Sequence, residues 1–145
     1  MKIQTTRFGV VEVLDSDVID FPQGLIGMET CRRWVLLADA EAESLGWLQS
    51  LERAEIALAV VSPRRFVSGY QARVARRDVA TLGVEDAGSI QVVAVVSQGE
   101  EGLTINLKAP LVINVDQRVG RQVVTKDDHA VQYALGSTIP FRRSA

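Results

Sequence analysis

The sequence predicts a mostly β fold: a small antiparallel β-barrel-like single domain with one or two short helices. Short segments rich in valine and isoleucine recur along the chain, and Gly, Pro and Asp residues separate them. Many short strands joined by brief turns are typical of a small barrel or a sandwich rather than of βαβ units. The chain has 145 residues, 47% hydrophobic and 23% charged, which is ordinary for one globular domain.

The first segments predict a hairpin and a third strand. Apolar and polar residues alternate over residues 3–5 and 11–13, and residues 7–9 between them supply a turn. A strand over residues 18–21 is expected to end at Pro22, because proline has no backbone N–H to donate to a sheet.

The middle of the chain predicts two buried strands and a short helix. Residues 34–37 and 56–61 are continuous apolar runs, too short for helices, and indicate strands buried on both faces. The acidic residues 41–52 between them are compatible with a turn of helix, although Gly46 interrupts it. Residues 78–83 predict the better helix, with an aspartate to cap its start and a glycine to end it.

The second half predicts a run of strands with local connections. Residues 90–97 are almost continuously apolar and β-branched, and the glycine-flanked turn 99–102 leads into residues 103–106, so the pair is expected to form a central hairpin. Strands over residues 111–114 and 122–124 are expected to follow.

Composition argues against several classes of function. The formal charge is −2, which is the wrong sign for a protein that neutralises nucleic-acid phosphates. Cys31 is the only cysteine and His129 the only histidine, so we expect no intramolecular disulfide and no zinc site. No apolar run follows the first residues, so we expect no signal sequence, and no stretch approaches the roughly 18 apolar residues that a membrane span needs. We therefore expect a cytoplasmic protein with no metal, no direct nucleic-acid partner and no membrane.

Catalytic patterns are weak as well. His129 lies in a polar stretch, and Cys31 is more easily read as a small apolar residue than as a nucleophile. Paired carboxylates occur only in predicted turns, where solvated and capping roles are usual. We expect no cofactor and no enzymatic activity.

Arginine doublets recur in the chain. The doublet Arg64-Arg65 is followed by Phe66 and Tyr70, a combination that could contact bases or a protein. Solvated surface arginines remain the simplest reading, a protein-binding patch the next, and nucleic acid the least favoured because the chain is acidic.

Four blocks of residues together resemble the flagellar assembly factor FliW family. They are residues 21–29 (FPQGLIGME), 47–50 (WLQS), 106–114 (NLKAPLVIN) and 120–124 (GRQVV). Their order and spacing agree with the family from residue 1 to about 135. Met28 departs from the aromatic residue common in the family, and residues 136–145 match no pattern, so we expect a domain over residues 1–135 and a separate C-terminal tail.

The resemblance implies a non-enzymatic β-barrel that binds flagellin and antagonises the translational regulator CsrA. Free flagellin would occupy the factor, and its export would release the factor to bind CsrA and relieve repression of flagellin mRNA. In this scheme one partner limits the other by occupying the shared factor. The alternatives are a barrel, possibly an enzyme subunit, that binds a small ligand near the glycine turn and Asn106, and a protein that binds RNA directly.

Candidate site residues fall into two sets. The motif residues are expected to be structural, with asparagines that bond to the backbone where strands end; they are Phe21, Pro22, Gly24, Gly27, Gln49, Ser50, Asn106, Pro110, Asn114, Gly120 and Gln122. Polar and aromatic residues expected to be exposed are the candidates for binding a partner; they are Arg64, Arg65, Phe66, Tyr70, Lys108 and Tyr133.

Overall fold

A computed structural model describes residues 1–83 and 87–136, and within these ranges the chain forms eleven strands and one short α-helix. The strands are β1 Lys2–Thr5, β2 Gly9–Glu12, β3 Val18–Asp20, β4 Arg33–Ala38, β5 Leu45–Ser50, β6 Ala57–Val61, β7 Ile90–Gly99, β8 Gly102–Ile105, β9 Leu111–Asn114, β10 Val119–Gln122 and β11 Tyr133–Gly136, and the helix is α1 Arg76–Ala80.

Seven of these strands close into a barrel, which confirms the predicted mostly β, barrel-like class. Neighbouring strands run in the order β3, β4, β5, β6, β7, β9 and β10, and β10 returns to β3. The β3–β10 pairing is parallel, with Val119 opposite Asp20, whereas the other pairings in the ring are antiparallel. Strands β8 and β11 extend outward from β7, and β1 and β2 form a separate hairpin.

Strand β7 belongs to both parts of the structure, because it is long enough to pair twice along one edge. Its residues 90–93 pair with β9, and residues 96–99 pair with β8 across the tight turn that the glycines bracket. The predicted central hairpin is therefore confirmed, as are the hairpin of β1 and β2 and the short strand β3.

The barrel wall is buried on both faces. Successive side chains of a strand point to opposite faces, and along β7 Val93 and Val95 join one apolar cluster while Ala94 and Val96 join another. The first cluster draws residues from β3, β4, β5, β6, β7 and β9 and fills the barrel. The second lies outside the wall, beneath β8, β11 and residues 62–72. The strands predicted at residues 34–37 and 56–61 are likewise buried on both faces, because Trp34 and Val60 belong to the first cluster whereas Val35 and Val61 belong to others.

The helical turn expected within residues 41–52 is wrong. Residues 45–50 form β5, which pairs along its length with β4 and β6. Trp47 and Leu48 are buried in the two different clusters, so burial on both faces outweighs the local acidic composition. Gly46 fits here because a Cβ would lie 3.3 Å from Leu36 and 3.4 Å from Val60.

Two boundaries differ from the sequence prediction. Helix α1 begins at Arg76 after an Ala75 cap with no side-chain hydrogen bond, so Asp78 does not cap it; Asp78 instead forms an ion pair with Arg121 at 3.6 Å. Strand β10 begins at Val119, earlier than the predicted 122–124, because Val119 pairs with Asn114 at the end of β9 and the two strands run antiparallel from there. The sequence did not predict β11, and residues 137–145 of the expected tail lie outside the described residues.

Candidate partner-binding site

The glycine turn that follows β3 is set by backbone contacts. Gly24 has φ +65°, and a Cβ there would lie 2.6 Å from Glu29 Cα, so only glycine fits without a backbone shift. Its N–H donates to Phe21 O at 2.7 Å. Gly27, at φ +85°, lies in the turn between Leu25 and Met28, which bond to each other, and Pro22 is exposed before it.

The two asparagines of block 106–114 shape the chain where strands end. Asn106 Oδ1 accepts from the N–H groups of Lys108 and Ala109 at 3.1 and 3.0 Å. Asn114 Oδ1 accepts from Asp116 and Gln117 in the same way, and its Nδ2 donates to Leu82 O at 2.8 Å. These are local side-chain to backbone bonds that replace the sheet ladder at a turn.

The remaining motif residues join the barrel segments. Gln122 Oε1 accepts from Ile26 N at 2.8 Å and its Nε2 donates to Ala109 O at 3.0 Å, so it ties the glycine turn to block 106–114. Gln49 is fully buried and donates to Ser50 O and Ala54 O, and Ser50 Oγ accepts from Arg53 N. Pro110 O accepts from Val123 N, and Gly120 lies against the ring of Phe21.

Arg64 and Arg65 border two adjacent surface grooves. Both are exposed on the 3₁₀ turn Pro63–Arg65 that follows β6. Arg64 lines a groove of about 690 Å³, and Arg65 lines a neighbouring one of about 390 Å³. Ser62 and Gln91 line both grooves, so the two form one continuous surface feature, here called the arginine groove. The residues of its larger part are Ser62, Pro63, Arg64, Tyr70, Ala72, Ile90, Gln91 and Val92.

The aromatic residues beside this groove are less exposed than expected. The expectation that Tyr70 is exposed is wrong: only 3% of Tyr70 is accessible, and its hydroxyl donates to Leu107 O at 2.7 Å. Phe66 is half-buried against the outer apolar cluster. Both rings pack inward because the loop of residues 62–72 covers Trp47 and Leu107 on the outside of the barrel wall.

Tyr70 is linked to its neighbours by several contacts. Arg64 Nε donates to Tyr70 O at 3.0 Å, and the His129 ring lies 4.7 Å from the Tyr70 ring, centroid to centroid. Burial, with a smaller contribution from the Asp127 carboxylate, raises the pKa of Tyr70 to about 12. The neutral phenol is therefore the form that the fold favours.

Replacing Tyr70 by phenylalanine is expected to remove a late step from the alkaline titration. Because folding raises the pKa of Tyr70, its contribution to stability is complete below the ordinary value of 10.0 and is lost as the pH rises toward about 12. The absorbance change of the phenolate follows the titration, and the Tyr70→Phe variant should lack the step near pH 12. Absence of any step near pH 12 in folded wild-type protein would contradict this.

Lys108 is half-buried rather than exposed as expected, and it joins the same region through Asp127. Its Nζ donates to Asp127 O, and the Asp127 carboxylate is bound by Arg73, whose Nε lies 2.6 Å from Oδ1. The Arg73 side chain and backbone N–H both donate to Asp127 and hold the pKa of that carboxyl below its usual value. Arg73 and Asp127 are 54 positions apart, and no local sequence pattern indicates such a contact, so their ion pair was not predicted.

The structure therefore brings together part of the predicted set. Arg64 bonds to the Tyr70 backbone, the Tyr70 hydroxyl bonds to Leu107 O, and Lys108 follows Leu107 in the chain. Arg65 lies in the adjoining part of the groove. Tyr133 is 37% exposed on β11, opposite Ile105 of β8. Tyr133 does not line either part of the arginine groove.

A third cleft, of about 260 Å³, lies where the small-ligand alternative places a pocket. Leu25, Met28, Asn106 and Gln122 are among its lining residues. The carboxamide oxygen of Asn106 and both polar atoms of Gln122 are already bonded to backbone groups. Small-ligand sites usually offer a few convergent polar groups to the ligand, and these two side chains are engaged elsewhere.

Within residues 1–83 and 87–136, no group of three or more His, Cys, Asp or Glu side chains could hold a metal ion. The same residues include no helix long and apolar enough to span a membrane.

Fold and surface together define a small closed β-barrel with open grooves on its outer wall. Comparison with known proteins identifies its relatives. The family model described as FliW protein matches residues 2–135, and the chain belongs to this family.

Curated relatives cover most of the chain. The "Flagellar assembly factor FliW" of Natranaerobius thermophilus is 33% identical over 93% of this chain and 92% of its own length. That of Heliobacterium modesticaldum is 39% identical over 93% and 90%, and that of Bdellovibrio bacteriovorus is 37% identical over 89% and 75%. A crystal structure of the flagellar assembly factor FliW matches with a TM-score of 0.83 at 25% identity, over 92% of this chain and 95% of the other. The predicted family and barrel fold are thus confirmed.

Proposed function

We propose that this flagellar assembly factor works in the cytoplasm as a non-catalytic switch that binds flagellin and antagonises CsrA. The observation that carries the proposal is the match to the FliW family from residue 2 to residue 135, which spans every strand of the barrel. The resemblance described above supplies the two partners.

The structure is compatible with a protein that acts by binding. The motif residues are occupied in backbone turns and barrel closure, whereas Arg64 and Arg65 are exposed beside open grooves. Arginine is enriched among residues that dominate protein interfaces. Arg64 and Arg65 are therefore the leading partner-binding residues, whereas Tyr70 is too deeply buried to contact a partner directly.

A switch of this kind follows from competition for one factor. A partner that binds the factor removes it from the population available to the second partner. While flagellin is abundant the factor is occupied and CsrA represses. When flagellin has left the cell, the free factor binds CsrA and translation of flagellin mRNA resumes.

A reconstituted translation reaction tests this function. CsrA is added to a cell-free system that translates a reporter behind the flagellin leader, and the factor is then titrated in. We expect reporter synthesis to recover as the factor approaches the CsrA concentration, and a reporter whose leader lacks the CsrA-binding sequence to be unaffected. Continued repression at large excess of folded factor would refute the proposal.

A further inference from the structure

The chain has a strongly asymmetric distribution of charge around the arginine groove. Residues 62–77 contain five arginines and no aspartate or glutamate, although the whole chain has a net charge of −2. The remainder is therefore clearly acidic. Such an asymmetry creates a local positive potential on an otherwise negative protein.

The fold places these arginines around one surface. Arg64 and Arg65 border the two parts of the groove. Arg76 and Arg77 are exposed on α1, whose Val79 packs in the same apolar cluster as the groove residues Ile90 and Val92. The helix thus lies beside the groove, and its two exposed arginines add positive charge to this region.

Within residues 1–83 and 87–136, most of this positive charge forms no ion pair. In the described part of the chain, Arg73 pairs with Asp127, and Asp78 near the groove pairs with Arg121. No ion pair forms at Arg64, Arg65, Arg76 or Arg77 among those residues. Glu43, exposed at the smaller part of the groove, is the acidic residue that lines it.

The lining of the groove indicates what kind of anion it accepts. Pro63, Ala72, Ile90 and Val92 present apolar surface between the arginines. Single-stranded nucleic acids usually stack their bases on exposed aromatic rings, but Tyr70 is buried with its hydroxyl engaged and Phe66 packs on the core. Basic edges around an apolar floor instead complement a peptide that carries both carboxylates and apolar side chains.

We propose that the arginine groove binds an acidic, partly apolar segment of a protein partner. This inference rests on the proposed function for the choice between the two partners. A regulator that binds RNA needs a basic surface to neutralise phosphates, and such a surface is repelled by the arginines. The occupant is therefore flagellin, and the arginines of the groove are not part of the surface that binds CsrA.

Charge reversal at the groove tests this assignment. Affinities for purified flagellin and for CsrA are measured at low and high salt for wild type and for Arg64→Glu/Arg65→Glu. The matched control is Arg32→Glu/Arg33→Glu, which makes the same charge change at the start of β4. This end of β4 lies away from the groove, because the groove is lined by Ala38 at the opposite end of the strand. Arg64→Glu removes the bond from Arg64 to Tyr70 O, so Arg65→Glu alone is also measured because it leaves that bond intact. Thermal unfolding checks that each variant is folded.

At low salt we expect the double reversal to weaken flagellin binding at least about 10-fold, a difference that shrinks as salt screens the charges. CsrA binding should be unchanged or tighter, and the control should bind flagellin as wild type does. Equal loss in both doublets, or no loss in a folded groove variant, overturns the groove assignment while the proposed function stands. Failure of wild type to bind either protein overturns both. Salt-dependent binding of a single-stranded RNA that the groove variant loses would assign the groove to nucleic acid instead.

Discussion

Replacing Ile113 by aspartate is expected to prevent the protein from folding. Ile113 is 1% exposed on β9, inside the barrel cluster that includes Phe21, Trp34 and Leu111. The described members of that cluster are apolar, so they offer no charge to pair with a carboxylate, and an unpaired buried carboxylate costs several kcal/mol. This is a large fraction of the roughly 5–15 kcal/mol that stabilises a typical domain. Circular dichroism and thermal unfolding of the purified variant provide the measurement.

Ile26→Asp is the matched control for this substitution, because it makes the same chemical change on the outside. Ile26 is 61% exposed in the glycine turn, and its bond to Gln122 uses the backbone N–H, which the substitution keeps. We expect a melting temperature within a few degrees of wild type, since exposed substitutions usually change stability by less than about 0.5 kcal/mol. A cooperative wild-type-like transition for Ile113→Asp would contradict the assignment of β9 to the barrel interior.

Adding one methyl group at Gly120 is expected to destabilise the barrel by about 1–3 kcal/mol, as overpacking of a tight core does. A Cβ there would lie 2.6 Å from Phe21 Cζ and 2.7 Å from Cε2, and the ring is fully buried. Gly120 has no left-handed φ, so the close approach of the ring is the whole reason for glycine. Gly99→Ala is the control, because the nearest atom to a Cβ at Gly99 is Gly102 O at 3.6 Å, an ordinary van der Waals distance.

A double-mutant cycle identifies the ring as the cause. Phe21→Leu removes the colliding ring atoms at the cost of a cavity, so Gly120→Ala should destabilise the Phe21→Leu background much less than it destabilises wild type. Chemical denaturation of the four proteins gives the coupling energy. Strict additivity would show that the strain at Gly120 has another source.

The sequence predicted those elements whose local pattern agrees with their tertiary role. The β-branched run of β7 and the glycines that bracket its turn favour the same hairpin that the barrel requires, and agreement between levels is what makes a pattern predictive. Strand β5 was not predicted because its acidic flank and Gly46 obscure the apolar pattern of residues 45–50, although the strand pairs with its neighbours in the sequence, β4 and β6.

The candidate site was predictable to the same limited extent. An arginine doublet after an apolar strand is exposed as expected, but the sequence does not reveal whether an adjacent aromatic residue faces solvent or the core. Tyr70 turns inward because Leu107, 37 residues further along, offers a carbonyl to its hydroxyl. The basic surface around the groove likewise depends on the packing of α1 against the start of β7.

Competition between the two partners tests the proposed switch most directly. A complex of this factor with fluorescently labelled CsrA is titrated with unlabelled flagellin, and the fraction of bound CsrA is followed by anisotropy. Partner exchange predicts that flagellin displaces CsrA in a saturable manner and that removal of flagellin from the mixture restores the complex. A stable complex that holds flagellin and CsrA together with unchanged CsrA affinity would contradict it.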